Sequence, residues 1–146
     1  MEKSLSFLEK IKQEFCCEEK DIRTYSPLTL AFVGDCVFDL IIRTVIVERA
    51  NRSPHDLHKM KSAIVKAKTQ AELGETIQDL LTEEEQTVYK RGRNAKSGSS
   101  AKNASIGDYR KATALEALLG YLFLQNQEDR ILFLVKAGLE RLKINI

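Results

Sequence analysis

The chain has 146 residues, 43% hydrophobic and 30% charged, with 23 basic and 21 acidic residues giving a formal net charge of +2. That balance excludes an intrinsically disordered chain and gives enough length for one domain with a substantial core. The three cysteines, Cys16, Cys17 and Cys36, form no CxxC pair and no even set, which argues against a disulfide scaffold and for free thiols in a reducing compartment.

The apolar spacing is helical almost throughout. Residues 5–15 predict a first helix with Leu5, Leu8, Ile11 and Phe15 on one face. Ser26-Pro27 then reads as an N-cap followed by proline at the first helical position. The helix it opens runs to about residue 49, is apolar on most sides, and is expected to be central and buried. Its apolar stretch over residues 28–47 is interrupted by Asp35, Asp39 and Arg43, so it is not a membrane span. The N-terminus carries no uninterrupted apolar leader, and the protein is expected to be cytoplasmic.

Ser53-Pro54 repeats the same start signal. The helix after it places Leu57, Met60, Ile64 and Ala67 inward and Lys59, Lys61, Lys66 and Lys68 mostly outward, and is interrupted or ended by Gly74. A short helical piece is expected over residues 75–81. Thr82 with Glu85 three positions on is a capping box for a helix to about residue 91. Residues 92–107 read GRNAKSGSSAKNASIG, a long irregular stretch of the kind that is usually functional. Helices over 109–124 and 129–142 complete an all-α, single-domain chain, 1–146, of about seven helices.

Candidate chemistry starts with charges where the pattern wants none. Asp35 lies inside the most apolar helix, beside Gly34. A buried carboxylate is expensive unless paired, hydrogen-bonded or metal-bound, and the glycine lowers helix stability by roughly 1 kcal/mol unless close packing compensates. Glu116 is flanked one turn away by Ala112 and Gly120, small residues that let another helix approach. Two such helices can cross and bring the acids together as hard oxygen ligands for Mg²⁺. The bland alternative is a structural acid satisfied by an arginine or a backbone group. Asp39 reads as structural, paired with Arg43 one turn on.

Other catalytic patterns fail. His55-Asp56 lacks the further histidines of a metal-dependent phosphohydrolase, no zinc-ligand spacing exists, and there is neither a phosphate loop nor a nucleophile elbow. Residues 90–111 hold seven basic residues (Lys90, Arg91, Arg93, Lys96, Lys102, Arg110 and Lys111) against one acid, Asp108. That local excess is either a polyanion contact or a solvated connector.

These segments, in this order, resemble one family. Leu30-Ala31-Phe32-Val33-Gly34-Asp35-Cys36-Val37 resembles the signature helix of the ribonuclease III catalytic domain, built on a Gly-Asp step. The run from Tyr109 to Leu122, containing Glu116-Ala117-Leu118-Leu119-Gly120, resembles its second acidic motif, and Arg91-Gly92-Arg93-Asn94-Ala95-Lys96-Ser97 is similar to a segment of the short, mini-ribonuclease III branch.

The resemblance, over about residues 24–140, implies an all-helical endonuclease that works as a homodimer on double-stranded RNA. One Mg²⁺-dependent centre is expected per subunit, with Mn²⁺ as a substitute and no organic cofactor or membrane partner. Asp35 and Glu116 match the family's acidic metal-binding, catalytic positions. There the metal activates a water and stabilises the leaving oxygen. Arg91, Arg93, Asn94, Lys96, Lys102 and Arg110 are expected to bind the RNA, chiefly through its phosphates. The branch's substrate class is precursor ribosomal RNA, trimmed at the large-subunit ends.

The chain departs from longer ribonuclease III enzymes at Ala31 and Thr113, where those carry further acids. The double-stranded-RNA-binding domain that normally follows is absent from these residues, so affinity is expected to come from the catalytic domain. The departures motivate one alternative, a non-cleaving homologue that clamps structured RNA.

Overall fold

The computed structural model of the chain describes residues 4–96 and 105–146. Among these there are seven α-helices and no strand: α1 (Phe7–Glu14), α2 (Pro27–Arg49), α3 (Pro54–Val65), α4 (Ala67–Thr76), α5 (Glu83–Asn94), α6 (Ile106–Leu124) and α7 (Glu128–Arg141). Two 3₁₀ turns, Ile22–Thr24 and Gln78–Leu80, serve as connectors. The all-α architecture is as the periodicity predicts.

The starts after Ser26, Ser53 and Thr82 are those the sequence predicts, whereas α6 begins at Ile106 rather than 109 because Ser105 caps it. Ser26, Ser53 and Ser105 each accept a hydrogen bond from the backbone N–H three residues on, satisfying donors that a helix start leaves free. Ser6 with Glu9, and Thr82 with Glu85, form full capping boxes.

One predicted helix is two. The backbone at Lys66 is extended (φ −65°, ψ 154°), which separates α3 from α4. Side chains from α4 serve the carbonyls left open at the break. Gln70 Nε2 donates to the Val65 carbonyl at 2.6 Å, and Thr69 Oγ1 to that of Ala63 at 3.3 Å. Gly74 does not end a helix. It lies inside α4, where the ring of Tyr89 sits 3.0 Å from where a Cβ would be.

The central helix is α6 rather than α2. It packs against α2, α4, α5 and α7, and Ala114, Leu115, Ala117, Leu118 and Leu119 on it are fully buried. α2 buries one side only, through Leu30, Ala31, Gly34, Phe38, Ile42 and Ile46. Its other side leaves Phe32 82% exposed, along with Leu28, Leu40 and Val47. Likewise, of the predicted apolar face of α1, only Leu8 is buried, while Leu5, Ile11 and Phe15 remain exposed. Periodicity reports that a face is apolar, not whether the same chain covers it.

α7 is tied across the core by Arg130, whose guanidinium donates to both carboxylate oxygens of Glu85 (2.7 and 2.9 Å) and to the Leu80 carbonyl (2.7 Å). Glu85 is almost fully buried, and Arg130 holds its carboxyl below the ordinary range. No described helix is long and apolar enough to cross a membrane.

Candidate active site

The two singled-out acids meet where α2 crosses α6. The crossing is unusually close because both helices present glycine. A Cβ on Gly34 would overlap the Glu116 carbonyl oxygen and come within 2.8 Å of the Gly120 amide nitrogen. A Cβ on Gly120 would likewise overlap the Leu30 carbonyl. The backbones therefore touch directly, and residues beside the glycines are brought together. The Gly-Asp step on one helix and the Glu-Ala-x-x-Gly run on the other make this contact in register.

The result is that the Asp35 and Glu116 carboxyls face each other closely enough to interact. Burial pushes the Glu116 carboxyl up to about 9, and hydrogen bonding with Asp35 and its charge add to the shift. Here the structure corrects the expectation about which acid is buried. Asp35 is exposed, while Glu116 is the partly buried one. Two acids that cannot both be charged at neutral pH without help form a place where a cation is favourable.

The pair's surroundings fit a sparse ligand set. Ala31 and Thr113, at the departing positions, are both buried. The Thr113 hydroxyl donates back to the Tyr109 carbonyl at 3.0 Å, so it is engaged with its own helix. Among the described residues no group of three or more His, Cys, Asp or Glu could hold a metal. Two carboxylates nonetheless suit Mg²⁺, which keeps several waters and takes substrate phosphates as remaining ligands.

The basic candidates sit around α5 and α6. Arg91, Arg93 and Asn94 end α5, Lys96 follows it, and Arg110 lies in the first turns of α6, all exposed. Lys102 falls outside the described residues. Gly92 presses α5 onto α6, since a Cβ there would lie 2.9 Å from both Ala114 Cα and Ala117 Cβ. The basic end of α5 is thereby anchored on the helix that carries Glu116. Lys111, counted in the same basic excess, is ion-paired with Glu75 of α4. Asp39 takes the structural role read for it: Arg43 Nε donates to it at 2.7 Å, and Lys61 lies at 3.8 Å. The second partner was not legible, because Lys61 reaches Asp39 from another helix. The cleft between α1 and the start of α7, lined by Ser6, Glu9, Asn126, Asp129 and Arg130, includes neither acid of the pair.

The model of the ribonuclease III domain matches residues 28–127, a span that contains both acids. The chain belongs to the ribonuclease III domain family. It is similar to the mini-ribonuclease 3 of Brevibacillus brevis, with 49% identity over 117 residues, covering 80% of this chain and 87% of that one. It is 46% identical to the mini-ribonuclease 3 of a Thermoanaerobacter species over 132 residues, covering 90% and 91% of the two chains. A crystal structure of a Fusobacterium nucleatum protein superposes with a TM-score of 0.75 at 34% identity, covering 84% of this chain and 98% of that one. Family and relatives make this chain an endoribonuclease of the ribonuclease III type, in its mini-ribonuclease III branch.

Proposed function

We propose that the protein is a Mg²⁺-dependent endonuclease that cuts double-stranded RNA as a homodimer, with Asp35 and Glu116 as its metal-binding catalytic acids. The observation that carries this is the acid pair at the α2–α6 crossing, with a Glu116 carboxyl that stays protonated in the absence of a cation. When bound there, Mg²⁺ supplies a Lewis acid for the phosphodiester and lowers the pKa of a water. Asp35 and Glu116 would hold that ion, with Glu116 in its deprotonated form. Arg91, Arg93, Asn94, Lys96, Lys102 and Arg110 hold the RNA by its phosphates. Duplex RNA is recognised mainly through shape, phosphates and 2′-hydroxyls, so little sequence readout is expected from them. By likeness to the mini-ribonuclease III branch, the proposed natural substrate is precursor ribosomal RNA in the cytoplasm, trimmed at the large-subunit ends.

The homodimer is supported by the outer stripe of α2. Leu28, Phe32, Leu40 and Val47 lie on one side of the helix, with Phe32 82% exposed. A phenylalanine carries roughly 200 Å² of surface, and contiguous apolar exposure of this kind marks an interaction surface. Asp35 borders the stripe, so pairing through it sets the two centres beside the interface.

The test is cleavage of a long perfect RNA duplex with Mg²⁺ or Mn²⁺ by the native protein, Asp35→Asn and Glu116→Gln. Native cleavage, with variants that fold and bind but do not cut, supports the reading. A native protein that binds duplex but fails to cut it with any divalent ion would instead be the non-cleaving RNA clamp that Ala31 and Thr113 suggest.

A further inference from the structure

The segment from Arg49 to Lys68 holds six basic residues, Arg49, Arg52, Lys59, Lys61, Lys66 and Lys68, against one acid, Asp56. With the segment 90–111 it accounts for thirteen of the chain's 23 basic residues and only two of its 21 acids. The remainder of the chain is therefore acidic, and a net charge near zero conceals a strongly polarised molecule.

The cations of the 49–68 segment are clustered and mostly outside ion pairs. Away from these segments, all four described arginines and Lys12 are tied to acids within the fold, Lys12 to Glu19, Arg23 to Asp21, Arg43 to Asp39, Arg130 to Glu85 and Arg141 to Asp79, while Lys10, Lys136 and Lys143 are exposed and scattered over separate elements. Between Arg49 and Lys68, the ion pair formed among the described residues is that of Lys61 with Asp39. Arg52, Lys59, Lys66 and Lys68 are exposed. They decorate the approach to α3, α3 itself, which is about 18 Å long by its 12 residues, and the junction into α4.

The single ion pair also fixes where this surface is. Asp39 lies one turn, about 6 Å along the axis, beyond Asp35. Lys61 reaches it from α3 at 3.8 Å, so α3 runs alongside α2 next to the acid pair. α3 leans on α2 and α4, while α5, with the first basic segment, leans on α6. The α2–α6 crossing thus has basic residues on the helices flanking both of its members.

We propose that Arg52, Lys59, Lys66 and Lys68 form a second phosphate-contacting track for duplex RNA, beside the acid pair and separate from the basic segment between α5 and α6. It rests on the duplex-RNA reading above and extends it to residues that the sequence motifs leave out. Lys61 is a positioning residue here, holding α3 to α2 through Asp39.

The test measures binding of a fluorescently labelled RNA duplex of about 20 base pairs to the full chain carrying Asp35→Asn, which blocks cleavage, in Mg²⁺ across 50–200 mM salt. On that background Lys59→Ala, Lys66→Ala and Lys68→Ala are combined. A control combines Lys10→Ala, Lys136→Ala and Lys143→Ala, which removes the same charge from exposed positions elsewhere. Each lost phosphate contact flattens the slope of log K against log salt by about 0.9. The expected result is a slope reduced by about 2 to 3 in the first variant, an unchanged slope in the control, and unchanged melting temperatures in both. An unaltered slope in the first variant, or equal losses in the two, overturns the track and leaves the nuclease reading in place. A parent protein that binds no duplex at all defeats the nuclease reading itself.

Discussion

Gly34→Ala is the smallest change that should disable this protein. In most exposed helix positions the substitution stabilises, by about 1 kcal/mol of helix propensity. At Gly34 the new methyl lands on the Glu116 carbonyl oxygen and against the Gly120 amide, both backbone atoms with no rotamer to yield. Overpacking against side chains costs about 1–3 kcal/mol and occasionally more, and a backbone clash belongs at the upper end. Taking about 3 kcal/mol and subtracting the propensity gain leaves a net loss of ~2 kcal/mol. For a chain of this size that lowers the melting temperature by roughly 4–8 °C. The helices must also move apart, and a displacement of about 1 Å at reacting groups can cost on the order of 10²-fold in rate. The assay is thermal unfolding at fixed protein concentration, with duplex cleavage measured well below the transition. Gly107→Ala is the control, because a Cβ there meets only the Ser105 hydroxyl at 3.9 Å, and it should be neutral or mildly stabilising. A Gly34→Ala protein as stable and active as the native one would refute the claim that backbone contact at this crossing builds the site.

Other expectations follow from the same geometry. Because Glu116 is held protonated up to about 9, above its unfolded value, the folded metal-free protein binds the extra proton between about pH 4.5 and 9. Its stability should therefore fall as pH rises through that window, by at most ~1.4 kcal/mol per pH unit; Glu116→Gln should flatten the decline, and Mg²⁺ should raise the melting temperature more at pH 8.5 than at pH 6. Glu85 behaves oppositely, since Arg130 lowers its pKa: the stability it contributes is present above its unfolded value and is lost as pH falls through the lowered one. Arg130→Met should destabilise by about 3 kcal/mol by leaving a buried carboxylate unpaired, read by urea unfolding at pH 7. Phe32→Glu should raise the dimer dissociation constant by at least tenfold, as for a central aromatic anchor, and sedimentation of native and variant over a concentration series would show it.

Local signals in the chain settled much of the outcome. Serine and threonine caps place the helix starts because their hydroxyls satisfy amides within three residues. Gly34 beside Asp35, and Gly120 one turn from Glu116, foretold a close crossing with an acid on each side. The Asp39–Arg43 pair was equally legible, since one turn of helix guarantees the approach. The break at Lys66 was not, because its competing hydrogen bonds come from Gln70 and Thr69 on the next helix. Nor was it legible that α6, not α2, is the centre: both are apolar on most sides, and only the packing of α4, α5 and α7 around α6 distinguishes them. The same packing leaves Phe32 and Asp35 at the surface and Glu116 partly buried, so the tertiary structure alone decides which acid keeps its proton. Spacing along a helix determines what shares a face; what covers that face depends on residues far away in the chain, and desolvation follows from the cover.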